Sequence, residues 1–246
     1  MLKSDTFRST LGARVSRPYQ KKSFAGKSVN YFKRISYLFV LTCFSVANAG
    51  SYEDFFSAIK SDQDFALSNL LQGGFDPNTV NPQGVPGLML AIREPSPKTA
   101  RLLIGWPKTQ VEVRNAADES PLMLAALAGD VELCRLLIAR DADVNKTGWA
   151  PLHYAATNGH LEVMRLLLDE HAYIDAASPN GTTPLMMAAH YGSASAVKLL
   201  LEAGADPTLK NIQALSALDF ANRGTRPDSA DIIRAFIRGQ KPKGSW

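Results

Sequence analysis

Histidine and cysteine are the first candidates for chemistry in this sequence. His153 and His160 are seven residues apart, whereas a metal pair on one helix needs a spacing of three or four and further ligands nearby. We therefore expect both histidines to form structural hydrogen bonds. Cys134 lies among apolar residues at helical spacing. A packed, unreactive thiol is expected there, because a reactive cysteine needs exposure and positive neighbours.

The sequence holds none of the motifs that usually mark catalysis. There is no G-x-S-x-G, P-loop, H-E-x-x-H, C-x-x-C or dinucleotide-binding pattern. Many acidic residues recur with a regular period, which is typical of a scaffold, whereas a catalytic pair would occur once. We expect no catalytic residue, no metal site and no cofactor. The alternative is an enzyme or toxin with an unrecognised site, which would need a singular polar group of residues in a pocket.

Composition indicates an ordinary folded protein, and the charge distribution argues against a nucleic-acid ligand. The chain has 246 residues, 46% hydrophobic and 20% charged, with a formal charge of +4. Nine of its 27 basic residues and one of its 23 acidic residues fall in residues 1–49. The remainder therefore holds 18 basic and 22 acidic residues, a charge of −4. Phosphate-backbone binding needs clustered positive charge on the folded domain, so nucleic-acid binding is disfavoured.

Residues 1–49 are similar to a secretory leader. Lys33 and Arg34 precede an apolar run over residues 35–46, and small residues at 47–49 follow. Twelve helical residues span about 18 Å, too short for a bilayer core of about 30 Å. We expect cleavage near Ala49 and a periplasmic or secreted protein, most simply in a bacterium. The alternatives are an organelle lumen, a retained membrane anchor that makes the protein a tethered scaffold, and a true start at Val29.

Everything after residue 50 is organised by an internal repeat. Similar segments recur at 84–92, 118–126, 148–156, 181–189 and 214–222, and successive anchor leucines are 34, 30, 33 and 33 residues apart. The anchors are Leu88, Leu122, Leu152, Leu185 and Leu218. A second leucine lies 14 residues after each of the first four. The two registers predict two short helices in each unit.

Helix start and stop signals support that interpretation. Proline, which is tolerated in the first turn, begins the first helix of three units at Pro121, Pro151 and Pro184. Glycine in a left-handed conformation is expected to end it, at Gly129, Gly159 and Gly192. The second helix ends at Gly204 in one unit. In two others Asp141 and His171 take that position, at some cost in backbone strain.

These residues resemble the ankyrin repeat, whose signature is G-x-T-P-L-H-x-A-A-x-x-G-H, a Leu-Leu pair and then G-A-D-x-N. The best match is residues 148–175, and residues 183–207 follow the pattern nearly as well. The resemblance covers residues 51–240. It implies an all-α solenoid of stacked helix-turn-helix units, with β-hairpin-like fingers projecting at right angles. His153 and His160 occupy signature positions that tie the finger and the inter-helix loop by hydrogen bonds.

The resemblance gives a domain division. It consists of a leader (1–49), an ankyrin-repeat domain (50–240) and a tail (241–246). Within the domain we predict an N-terminal cap (51–81), repeats at about 82–114, 115–144, 145–177 and 178–210, and a C-terminal cap (211–240).

Some segments depart from the signature. The finger between Asn145 and Gly148 should be truncated, and Pro95, Pro97 and Pro107 should disturb the helices around them. The last unit should carry an insertion at 224–227.

The family geometry places a binding surface on the concave wall formed by the finger tips and the inner faces of the first helices. We expect a non-catalytic module, monomeric, that binds another protein there, with no nucleic acid and no small-molecule substrate. The positions transferred to this sequence are Val85, Arg93, Glu119, Leu127, Trp149, Thr157, Asn158, Thr182, His190, Tyr191 and Arg223. Trp149 and Tyr191 are the preferred hot spots, because aromatic side chains bury much area with few rotatable bonds. For Trp149 the alternative is that it folds back over the truncated finger.

Overall fold

The computed structural model describes residues 50–240. The expected leader and tail lie outside the described residues. Within the described range the chain forms helices and turns, with no β-strand, and a single isolated β-bridge joins Val80 to Pro86. None of the helices in this range is both long enough and apolar enough to cross a membrane.

The helices follow one another in pairs. They are α1 (50–60), α2 (Asp64–Gln72), α3 (Gly87–Arg93), α4 (Pro97–Gly105), α5 (Pro121–Ala128), α6 (Val131–Ile138), α7 (Pro151–Asn158), α8 (Leu161–Asp169), α9 (Pro184–His190), α10 (Ala194–Glu202), α11 (Ala217–Arg223) and α12 (Pro227–Gln240). Five longer loops connect successive pairs, and we call them fingers 1 to 5. They span residues 73–86, 106–120, 139–150, 170–183 and 203–216.

The helices form two layers. First helices pack on first helices, from α3 through α5, α7 and α9 to α11. Second helices pack on second helices from α2 through to α12. Each unit therefore contacts chiefly its neighbours, as in other repeat proteins. The arrangement is the all-α ankyrin-type solenoid that the sequence predicts.

The recurring apolar residues form one continuous core along the row. The anchors Leu88, Leu122, Leu152 and Leu185 are buried, whereas Leu218 in the last unit is only partly buried. Alanine pairs such as Ala155 and Ala156 are fully buried. Their small side chains let neighbouring first helices approach closely. No unit could cover its apolar face alone, so stacking is the main source of stability.

Most helix boundaries follow the sequence signals. Proline occupies the first turn of α5, α7 and α9. Gly129 and Gly159 end α5 and α7 with φ of 76° and 68°. Asp141 and His171 take positive φ values of 62° and 64° after α6 and α8, as expected.

Gly192 corrects one prediction. Helix α9 ends at His190, and Gly192 is not in the left-handed region. A Cβ there would lie 2.9 Å from the Ala188 carbonyl oxygen and closer still to that of Ala156. Glycine is needed at this position because its backbone lies against those of Ala156 in α7 and Ala188 in α9, and not because of φ.

The region of the extra prolines corrects a second prediction. Pro97 does not disturb a helix but occupies the first turn of α4, where its missing N–H has no intrahelical partner. Pro95 lies after the last residue of α3, Arg93, and Pro107 lies after the last residue of α4, Gly105, so neither interrupts a helix. The helices around these prolines are therefore intact.

The predicted insertion in the last unit is also wrong. The buried residues Ala230 and Ile233 lie 12 and 15 positions after Leu218, the same offsets that Val197 and Leu200 have from Leu185. There is no insertion at 224–227.

Candidate protein-binding surface

Finger tips are turns that are closed by their own side chains. In finger 2, Asn115 Oδ1 accepts hydrogen bonds from the backbone N–H groups of Ala117 (2.9 Å) and Glu119 (3.0 Å). Asn81 and Asn211 make the same pair of bonds in fingers 1 and 5. These bonds satisfy backbone donors locally and favour a single tip conformation.

Hydrogen bonds also join neighbouring fingers to one another. Asn145 in finger 3 donates through Nδ2 to the His171 carbonyl (2.9 Å), and its Oδ1 accepts from the Tyr173 N–H (2.7 Å). Asn78 in finger 1 bonds in the same way to the backbone of Lys108 (2.9 Å) and Gln110 (2.8 Å) in finger 2. The fingers are thus held at fixed spacing before any ligand binds.

His153 joins finger 3 to finger 4 from inside the core. Its Nδ1 accepts a hydrogen bond from the Ala150 N–H (3.1 Å), so Nε2 carries the proton and donates it to the Thr182 carbonyl (2.9 Å). Burial lowers the pKa of His153 below its usual value. His160 similarly donates to the Leu127 carbonyl (2.9 Å). Both histidines are structural, as the sequence predicts.

Finger 3 is shorter than the others. It has 12 residues where its neighbours have 14 or 15, and a hollow of about 490 Å³ opens beside its tip. We call this hollow the notch. Its lining residues are Ala117 and Asp118 from finger 2, Lys146, Thr147, Gly148 and Trp149 from finger 3, and Ala177 and Pro179 from finger 4.

The notch contains an ion pair. The amino group of Lys146 contacts Asp118 Oδ2 and donates to the Thr147 carbonyl (3.0 Å). The Lys146 side chain is only 8% exposed, whereas that of Asp118 is 69% exposed. The hydrogen bond from Lys146 lowers the pKa of Asp118, so this carboxylate is charged at neutral pH.

The first helices add two regular rows of side chains to the surface. The row nearer the fingers, two positions after each anchor leucine, consists of Leu90, Leu124, Tyr154, Met187 and Phe220. Leu90 and Leu124 are buried, and the other three are partly exposed. The row five positions after each anchor consists of Arg93, Leu127, Thr157, His190 and Arg223. Because equivalent positions of stacked helices share a face, the exposed and partly exposed members of these rows lie on one surface, which we call the wall. The wall also includes two exposed residues six positions after their anchors, Asn158 and Tyr191, and the partly exposed finger residues three positions before the anchors, Val85, Glu119, Trp149 and Leu215.

The predicted residues are spread along the wall. Arg93, Asn158, Tyr191 and Arg223 are exposed, and Val85, Glu119, Leu127, Trp149, Thr157 and His190 are partly exposed. Thr182 must be removed from the surface. It is 2% exposed, its N–H is bonded to Ser178 Oγ (2.9 Å), and its carbonyl accepts the His153 bond.

The two preferred aromatic residues differ in environment. Tyr191 is 54% exposed, and its ring contacts the His190 ring edge-on at a centroid distance of 4.1 Å. Trp149 is partly buried beside the shortened tip, and its ring meets that of His153 edge-on at 5.2 Å. Trp149 therefore lines the notch while packing against α7.

Sequence reasoning missed the row nearer the fingers. Tyr154, Met187 and Phe220 are partly exposed, and Tyr154 donates its hydroxyl proton to Glu119 Oε1 (3.1 Å). Burial and the neighbouring Glu119 carboxylate raise the pKa of Tyr154. The signal that could have found them is their shared offset of two residues from the anchor leucines.

The remaining candidates for chemistry do not form a site. Cys134 is fully buried, and burial raises the pKa of its thiol to about 12, so it is protonated and inert. Among the described residues no group of three or more His, Cys, Asp or Glu side chains is placed to hold a metal ion.

Comparison with known proteins agrees with the repeat pattern. The family model "Ankyrin repeats (3 copies)" matches residues 55–147, 88–178 and 122–211. The chain is 31% identical over 165 residues to the nuclear factor NF-kappa-B p105 subunit of Gallus gallus, covering 64% of this chain and 17% of that protein. It is 36% identical over 158 residues to the ankyrin repeat and SAM domain-containing protein 6 of Rattus norvegicus, covering 64% and 14%.

The match to a third relative covers a larger share of that protein. The chain is 31% identical over 149 residues to the B-cell lymphoma 3 protein homolog of Mus musculus, covering 58% of this chain and 33% of that protein. In each case the match spans a third or less of the relative. The overlapping matches, the paired helices in two layers and the bonded fingers lead to one conclusion: the chain belongs to the ankyrin-repeat family.

Proposed function

We propose that this chain is a non-catalytic module that binds a partner protein through the wall. Ankyrin repeats generally mediate protein–protein interaction and are generally non-catalytic. The proposal for this chain is supported most by one observation, the partial exposure of Tyr154, Met187 and Phe220 in the row nearer the fingers. Apolar and aromatic side chains with a polar rim are typical of interface centres.

The rigidity of the wall supports the same proposal. Side chains close the tips of fingers, and Asn78 and Asn145 bond successive fingers together. A surface that is already ordered loses little conformational entropy when a partner docks, so more of the contact energy remains as affinity.

We further propose that the mature protein acts in an exported compartment. Support comes from the basic flank, the short apolar run and the small residues at 47–49. The relatives named above are animal proteins, and the bacterial source stays a prediction. Cell fractionation with N-terminal sequencing tests the proposal. A processed species that begins near Gly50 supports it, and a full-length species retained in the membrane fraction indicates an anchor.

The binding proposal is tested by comparative capture from the native compartment. The bait variants are wild type, Met187→Ala/Tyr191→Ala on the wall, and the control Phe65→Ala. Phe65 is 77% exposed and lies on α2, in the layer of second helices. We expect a specific protein that wild type and the control retain equally and that the wall variant retains at least about tenfold less well. Equal retention by all three baits would contradict the proposal.

A further inference from the structure

The notch is a consequence of the shortened finger 3. Fingers 2 and 4 keep full-length tips on either side of it, and the tip between them is truncated at Lys146 to Gly148. The hollow of about 490 Å³ lies within the range of about 300–1,000 Å³ that is typical of ligand sites. It is therefore large enough for a long side chain of a docked partner.

The notch presents a negative charge to solvent. Lys146 is nearly buried beneath its ion pair, whereas the Asp118 side chain is largely exposed. The second carboxylate oxygen, Oδ1, lies 4.0 Å from Arg114 Nε, beyond hydrogen-bond length. Arg114 is itself paired with Glu112. Oδ1 is therefore able to accept hydrogen bonds from a ligand.

The surrounding charge has the same sign. Residues 50–240 contain 16 Lys and Arg against 22 Asp and Glu, a formal charge of −6. Long-range electrostatics therefore attract a basic partner to this domain.

The third feature of the notch is an aromatic ring next to that carboxylate. Trp149 lines the same hollow, and its ring packs edge-on against that of His153. Tryptophan is the best aromatic partner for a cation, and guanidinium groups stack on it. The planar guanidinium group of arginine can also donate two parallel hydrogen bonds to a carboxylate, whereas the compact ammonium group of lysine cannot.

We propose that the notch receives an arginine side chain of the partner protein, with the guanidinium stacked on Trp149 and bonded to Asp118. This inference rests on the proposed function, since it specifies the chemistry of the partner. Small side chains at Ala117 and Ala177 in the lining leave room for the aliphatic part of the arginine. An acidic segment is disfavoured, because the exposed charge of the notch is a carboxylate.

The test uses short peptides as probes of the notch alone. A capped Gly-Gly-Arg-Gly-Gly peptide is titrated at low salt into the ¹⁵N-labelled protein, and the indole N–H resonance of Trp149 is followed by NMR after assignment with Trp149→Phe. A peptide with citrulline in place of arginine keeps the shape and removes the charge. We expect a saturable shift with arginine and affinity about fivefold weaker with citrulline. No saturable shift, or equal affinity for both peptides, would overturn the proposal.

Two variants give opposite expectations. Asp118→Asn should weaken arginine binding about fivefold, and asparagine tolerates the positive φ of 59° at this position. Lys146→Met should strengthen binding, because it leaves the Asp118 carboxylate without its internal cation. Weakening by both variants would indicate a merely structural effect and contradict the proposal. If Asp118→Asn fails to fold by circular dichroism, the citrulline peptide and Lys146→Met decide the question.

The peptide titration and the capture experiment together distinguish a failure of the arginine-binding proposal from a failure of the proposed function. Loss of partner capture with Met187→Ala/Tyr191→Ala, without arginine binding in the peptide titration, would refute the notch alone. Arginine binding without any effect of the wall variant on capture would refute the proposed function alone.

Discussion

Replacing Gly192 with alanine tests the packing of first helix on first helix most sharply. The added Cβ would lie 2.9 Å from the Ala188 carbonyl oxygen, 3.0 Å from the Ala188 Cα and closer still to the Ala156 carbonyl oxygen. These are backbone atoms, so no rotamer change can relieve the overlap, and the backbone at Gly192 must shift away from both Ala156 of α7 and Ala188 of α9. Overpacking of this kind costs about 1–3 kcal/mol. We expect Gly192→Ala to lower the free energy of unfolding by about 2 kcal/mol.

Gly105→Ala is the matched control. Gly105 is the last residue of α4 and is exposed, and a Cβ added there would have no atom within 4 Å. Alanine there should be neutral or stabilising by up to about 1 kcal/mol. The assay is urea unfolding followed by circular dichroism in the far ultraviolet. With an m-value of about 2 kcal/mol/M, Gly192→Ala should lower the midpoint by about 1 M. Equal midpoints for Gly192→Ala and wild type, or an equal loss in both variants, would refute the reasoning.

Three further predictions concern buried or capping groups. Because burial lowers the pKa of His153, its protonation opposes folding, so the melting temperature should fall as pH drops from about 7.5 to about 5.5; His153→Gln should lose most of that dependence. Asp62 Oδ1 accepts from the N–H groups of Lys98 (2.9 Å) and Thr99 (3.0 Å) at the start of α4, so Asp62→Ala should cost about 1 kcal/mol in urea unfolding. In a Cys43→Ser chain, the Cys134 thiol should react with a disulfide reagent at about pH 8 at least about a hundredfold more slowly in the folded than in the unfolded protein, and equal rates would show that it is accessible.

The repeat could be predicted from sequence because its signals are local and periodic. Anchor leucines, proline at the first helical turn and glycine after α5 and α7 each act within one unit, and the structure confirms them. The hydrogen bonds of His153 and His160 could be predicted for a similar reason. The family signature places histidine where its side-chain hydrogen bonds hold a finger or the inter-helix loop.

The errors arise where a residue responds to a neighbouring unit. The repeat pattern predicts a left-handed cap at Gly192, but the close backbone of Ala156, more than thirty residues away, is what requires glycine. Thr182 lies in a finger, yet its bond with His153 of the preceding unit draws it into the core. Such contacts are set by the stacking distance, which a single sequence does not state.

The wall could be predicted only in part for the same reason. The family geometry indicates that the positions five residues after each anchor belong to the surface. The positions two residues after each anchor, such as Tyr154 and Phe220, are apolar and are therefore similar to core residues in the sequence. Only its partial exposure distinguishes that row from the core. The notch follows from a missing finger segment, and its charge depends on Lys146 being buried while Asp118 is not.

Site-specific photo-crosslinking tests the central claim most directly. A photoreactive phenylalanine analogue is placed at Phe220 or Tyr154 on the wall, or at Arg165 as a control. Arg165 lies on α8 in the other helix layer, and its side chain is 54% exposed. We predict that both wall positions form an adduct with the same protein in the native compartment and that Arg165 does not. Adducts at Arg165 with none at either wall position would contradict the assignment of the wall as the binding surface.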